Sequence, residues 1–232
     1  LQKRITEKFG AELHDSLILS ATHTHTGSQF VSNPDEWDDR TKYAFDETID
    51  AAMRALTRAM MNRLPGSLEV GTVYNNPYGF VRRYWMKDGT LLTNPGWGNP
   101  NIDKPECDFD RTIGILKVIQ NGRIAALLCN IANHGDTIGG NIVSADWPGR
   151  FAQEIQHALK ASIPVLVVDD ASGNINHFDF RQKINQTRYE EAVRIGRGYA
   201  AIVLEALDSL EPVTAESVTV KKGGTANSPR QQ

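Results

Sequence analysis

The sequence predicts an α/β protein, a layered domain with a mixed β-sheet core flanked by helices. Two observations predict it. Strand-like and helix-like patterns alternate in mixed order along the chain, and one pair of strand patterns flanks Asn121-Gly122, a strong antiparallel hairpin signal.

The elements follow in order. Residues 17–19, Leu-Ile-Leu, form a short apolar run that leads into Ser20-Ala21-Thr22-His23-Thr24-His25-Thr26-Gly27 and read as a buried strand leaving into a polar loop. Over 38–64, Phe45, Ile49, Ala52, Leu56 and Met60 recur at three- and four-residue steps. This is a helix, and Pro65-Gly66 ends it. Residues 67–74 alternate like a strand. Residues 75–110 hold four of the ten prolines and two of the four tryptophans, including Asn94-Pro95-Gly96-Trp97-Gly98. A stretch so long and so rich in aromatics reads as an ordered loop over a site.

Residues 112–119 and 123–131 are the two hairpin strands. The second runs out into Asn133-His134-Gly135-Asp136. A helix over 147–161 carries Pro148 in its first turn, where a missing N–H is tolerated, and Phe151, Ile155 and Leu159 on one face. Residues 164–168 are a buried strand that leaves into Asp169-Asp170-Ala171-Ser172-Gly173-Asn174. A long helix over 186–210 and a last strand over 217–220 complete the reading. The apolar runs ending at Leu19, Ile131 and Val168 each open into a polar loop, and sites in open α/β sheets gather where strands end.

Composition excludes several classes. A net charge of −3 provides no basic footprint for nucleic acid. No apolar run approaches the roughly 18 residues of a membrane span. Cys107 and Cys129 lack a CxxC spacing and read as free thiols. The chain opens at Leu1, inside what reads as the tail of a helix. It is expected to be a piece of a longer protein: residues 1–222 part of a catalytic domain, 223–232 a polar tail.

Chemistry concentrates in a few residues. In an extended backbone His23 and His25 point to one side. Two such imidazoles can share a metal, or one can bind metal while the other handles a proton or a substrate oxygen. The small neighbours Ser20, Thr22, Thr24, Thr26 and Gly27 leave room for a ligand. His134 is a further candidate at a strand end, with Asp136 and Asp146 as supporting carboxylates. His14, His157 and His177 are weaker, His177 because it merely adjoins the 172–176 loop. Arg82-Arg83 are a solvated pair or a guanidinium for a carboxylate or developing oxyanion. Ser172 resembles the nucleophile of an α/β-hydrolase elbow, but the first glycine of that motif is absent.

Together these motifs resemble the neutral (non-lysosomal) ceramidase family, in its bacterial branch. The resemblance rests on Ser20-Ala21-Thr22-His23-Thr24-His25-Thr26-Gly27, on Asn133-His134-Gly135-Asp136-Thr137 followed by Ser144-Ala145-Asp146-Trp147-Pro148-Gly149, and on Gly173-Asn174-Ile175-Asn176, in family order. Arg82-Arg83-Tyr84 and Met86-Lys87-Asp88-Gly89-Thr90 fit the same branch. The departures are Gly173-Asn174 in place of Gly-Asp and Asn176-His177 in place of Pro-Asn.

The resemblance implies a zinc-dependent hydrolase that cleaves the amide bond of ceramide or a related N-acyl lipid. His23 and His134 would be metal ligands, with a glutamate and a tyrosine supplied downstream of this chain. His25 would contact substrate and assist proton movement, and Arg83, ahead of Arg82, would bind near the scissile amide. It further implies a lipid-like substrate walled by Tyr78, Phe80, Trp85 and Trp97, contact with a membrane surface, and a periplasmic or secreted location. The alternatives are a metal-dependent amidase or esterase on other N-acyl compounds and a non-catalytic module that kept the fold.

Overall fold

The computed structural model describes residues 1–28, 30 and 33–214. The chain begins with two short helices, α1 (Gln2–Phe9) and α2 (Ala11–Ser16), followed by α3 (Asp39–Met61). Asp38 caps α3 by accepting the Thr41 N–H at 2.7 Å, which satisfies one of the free donors of the first turn. Ile5 of α1 is fully buried, and Arg4 reaches Asp50 of α3 at 2.6 Å, so these helices pack on one another.

The central sheet contains β1 (Ser67–Tyr74), β6 (Thr112–Gln120), β7 (Arg123–Ile131), β8 (Val165–Asp169) and β10 (Glu211–Pro212), in the order β10-β1-β6-β7-β8. All pairings are antiparallel except β7 with β8, so the sheet is mixed, as predicted. Asn121 and Gly122 both hold positive φ, 51° and 71°, between partners Gln120 and Arg123. That is the tight turn whose twist matches a hairpin.

Helices α4 (Asp146–Leu159) and α5 (Tyr189–Ala206) cover one face of the sheet. Ile113 and Ile115 of β6 and Leu127, Cys129 and Ile131 of β7 point there at a period of two and meet Phe151 and Ile155 of α4 and Ile195, Tyr199 and Val203 of α5. Gly196 lets the helices approach closely, since a Cβ there would lie 2.8 Å from the Phe151 nitrogen. Burial pushes the Cys129 thiol up to about 12, and both cysteines are free, as expected.

Residues 75–110 are ordered by short strands: β2 (Phe80–Val81), β3 (Arg83–Met86), β4 (Leu91–Thr93) and β5 (Ile102–Pro105). Strands β4-β3-β5 make a small separate sheet, and β2 pairs with β9 (Ile175–Asn176). The stretch is therefore pinned to the loop that follows β8.

Two expectations fail. Residues 17–19 form no strand. They find no ladder partner among the described residues, and Ile18 and Leu19 are 74% and 58% exposed. Nor is the backbone at His23 extended, since its φ is 53°, in the left-handed region. The strand expected over 217–220 and the polar tail lie outside the described residues.

Candidate metal centre

His134 sits just past the end of β7, and several backbone contacts place it. Thr24 forms an isolated parallel bridge with Gly135, and the His25 N–H donates to the Gly135 carbonyl at 2.9 Å. Gly135 has to be small here: a Cβ would meet the Thr22 carbonyl at 3.1 Å and the Thr24 Cα at 3.2 Å. Thr24 Oγ1 donates to the Ser144 carbonyl at 2.9 Å, which ties the same loop to the segment before α4.

These contacts bring three imidazoles together. Ring centroids lie 4.8 Å apart for His23 and His134, 5.1 Å for His23 and His25, and 5.7 Å for His25 and His134. One ring nitrogen from each falls within 4.8 Å of the others. The convergence comes from a turn at His23 rather than from a strand pleat, so the expected juxtaposition is present for a different backbone reason.

Protonation favours ligation. His134 is buried, and its Nδ1 lies 2.8 Å from the Ile175 carbonyl. A carbonyl only accepts, so Nδ1 carries the proton and Nε2 keeps its lone pair for a ligand. Burial lowers the His25 pKa, with His23 and His134 acting in the same direction against the opposing charge of Asp136. A neutral imidazole is the form that binds a divalent ion.

The supporting carboxylates divide in role. Asp146 has φ 54° and is buried at the start of α4. It accepts from Thr137 Oγ1, from the Ile138 N–H at 3.1 Å and from the Trp147 N–H at 2.6 Å, so it joins the His134 loop to the helix. Asp136 accepts from His177 Nδ1 at 2.9 Å. Its burial would raise its pKa, but that hydrogen bond and charge hold it low. His177 is fully buried behind Asp136, and its Nε2 donates to the Gln186 carbonyl at 2.7 Å. His157 is exposed in the last turn of α4.

Arg83 is held by Glu106, through Nε at 2.5 Å and through Nη2. With Arg82, Ala171, Gly173 and Asn174 it lines a polar cavity of about 520 Å³ that none of the three histidines lines. Ser172 Oγ donates to Asp169 Oδ2 at 2.6 Å, and no imidazole hydrogen-bonds it among the described residues, so a serine nucleophile lacks its base.

Of the aromatics expected to wall a groove, Trp85 and Trp97 are partly exposed, at 37% and 39%. Tyr78 instead packs edge-on against Tyr199. An apolar groove of about 590 Å³ lies elsewhere, between Ile18, Leu19, Pro148 and the outer edge of β8.

Sequence reasoning missed the buried network beneath His134. Tyr199 Oη donates to Asn76 Oδ1 at 2.7 Å and accepts from Asn133 Nδ2 at 2.9 Å, while Asn76 Nδ2 donates to the Ala132 carbonyl. It also missed Glu106 and Asp169. Only Asp169, a carboxylate at the end of an apolar strand, carried a usable signal.

This arrangement of sheet, helices and loops has counterparts among solved structures. One is the neutral ceramidase from Pseudomonas aeruginosa, which superposes with a TM-score of 0.68 at 19% identity over 93% of this chain and 35% of that one. Another is a ceramidase complexed with C2, with a TM-score of 0.64 at 20% identity over 93% of this chain and 34% of that one. The chain has the neutral ceramidase fold. It spans about a third of the length of these ceramidases. No family model matches the sequence, and no curated protein matches it.

Proposed function

We propose that this chain carries the histidine part of the metal centre of a zinc-dependent hydrolase acting on the amide bond of ceramide or a related N-acyl lipid. The observation that carries the proposal is the meeting of His23 and His134, distant in sequence, at a ring separation of 4.8 Å in a ceramidase fold.

The donor set suits zinc, which takes neutral imidazole nitrogens. His134 presents Nε2 because Nδ1 is tied to Ile175, and His23 shares its opening. Zinc held there would supply a Lewis acid and a bound water whose pKa falls to roughly 7. His25, whose pKa burial and the neighbouring imidazoles of His23 and His134 lower, is the group that takes a proton and returns it to the leaving amine. Arg83, oriented by Glu106, keeps Nη1 for a substrate oxygen in the cavity that it lines. The remaining ligands would come from outside this chain.

A lipid substrate brings the site to a membrane surface, and no described helix is long and apolar enough to cross one. Secretion or a periplasmic location belongs to the same reading.

The test uses the full-length protein: bound zinc is measured, and hydrolysis of ceramide is compared with that of other N-acyl amides and esters. His134→Ala should lose zinc and turnover together. Arg83→Ala should keep zinc and lower kcat/KM. Zinc content unmoved by His134→Ala, or turnover that survives chelation, would end the proposal. Preference for a non-ceramide amide or ester would move the substrate and leave the metal chemistry.

A further inference from the structure

The ends of β7 and β8 carry hydrogen-bond acceptors that lack donors. Among the described residues, Asn130 Oδ1 and Asn133 Oδ1 around the end of β7 and Asp169 Oδ1 at the end of β8 are buried without a partner. Asp169 differs from the other two in being a carboxylate. It stands opposite Ile131 in the β7–β8 ladder, and its Oδ2 accepts from Ser172 Oγ at 2.6 Å. Burial raises the pKa of Asp169, and the Ser172 hydrogen bond and the charges of His134 and His23 oppose that rise.

A shielded carboxylate oxygen with no donor is costly. The turn after β8 needs only the oxygen that meets Ser172, so a turn-forming role leaves Oδ1 unexplained. On the histidine side, His134 already has its outer partner, the Ile175 carbonyl, while neither ring nitrogen of His23 has one among the described residues. Metal-bound histidines as a rule pass their other N–H to a carboxylate or carbonyl, which fixes the ring and raises its basicity.

We propose that Asp169 is the positioning carboxylate of the metal centre, its free Oδ1 accepting the N–H of His23 from the ring nitrogen that does not bind metal. The proposal rests on the zinc reading above. It gives the two histidines different outer partners, a main-chain carbonyl for His134 and a carboxylate for His23.

The experiment measures zinc affinity of the full-length protein by competition with a chromophoric chelator, and the thermal midpoint of the metal-free form. Asp169→Asn keeps the shape and removes the charge. It is expected to weaken zinc about ten- to a hundredfold, while the metal-free midpoint stays level or rises because an unpartnered buried charge is gone. Ser172→Ala, which opens the turn and keeps the carboxylate, is expected to change affinity by less than about threefold, small beside the effect of a metal-site partner. Unchanged affinity in Asp169→Asn beside a zinc-binding parent would overturn the role of Asp169 alone. So would an equal loss in Ser172→Ala, or a lower metal-free midpoint in Asp169→Asn, since either marks a structural turn. A parent that binds no zinc overturns the metal reading and this role together.

Discussion

His134 Nδ1 donates to the Ile175 carbonyl across 2.8 Å, and that contact joins the loop after β7 to β9. It determines which nitrogen of His134 is free. Because Ile175 also pairs with Val81, the same contact links the histidine cluster to the segment that carries Arg82 and Arg83.

Gly135→Ala is expected to push apart the two histidine-bearing loops. Its Cβ would press on the Thr22 carbonyl and the Thr24 Cα, both backbone atoms that cannot rotate away. Overpacking of this kind costs about 1–3 kcal/mol. Urea unfolding should show the loss, and zinc affinity should fall while the circular dichroism spectrum is retained.

Asp146→Ala should destabilise the fold by about 3 kcal/mol, the range for leaving buried donors unmatched. It strands the Thr137 hydroxyl and the N–H groups of Ile138 and Trp147. Asp146→Asn, which tolerates the left-handed backbone, should lose less. Chemical denaturation of both variants checks the order.

Gly122→Val should cost about 1 kcal/mol or more, because a β-branched residue resists φ 71° in the hairpin turn. The change is remote from the histidines in the ladder, so zinc content should not move. A shift in bound zinc would show that the hairpin and the site are coupled.

The lowered His25 pKa sets a pH dependence. Folding depresses this pKa below its ordinary value near 6.5, so the unfolded chain binds more protons in that range. The contribution of His25 to stability is therefore present above about pH 6.5 and fades as pH falls through the lower folded value. His25→Gln is expected to flatten that part of the stability–pH curve. Thermal midpoints between pH 5 and 8 would show it, and an unchanged curve would place the dependence on another group.

Much of the architecture was legible in the sequence, because it depends on local chemistry. Asn121-Gly122 specified a turn between two strands, and Phe151 and Ile155 specified one helix face. Residues 17–19 misled for the converse reason. Three apolar residues look like a strand whatever lies beside them, and a strand exists only where a neighbour takes its hydrogen bonds.

His23, His25 and His134 were visible by sequence as candidates, through their motifs and their places after apolar runs. Their convergence was decided by tertiary structure, through the Thr24–Gly135 bridge and the left-handed turn at His23. The choice of Nε2 on His134, the capture of Arg83 by Glu106 and the stranded oxygen of Asp169 belong to the same level. Local sequence sets backbone preference and burial pattern, whereas the partner of a given nitrogen or oxygen depends on which distant segment the folded chain brings within hydrogen-bond reach.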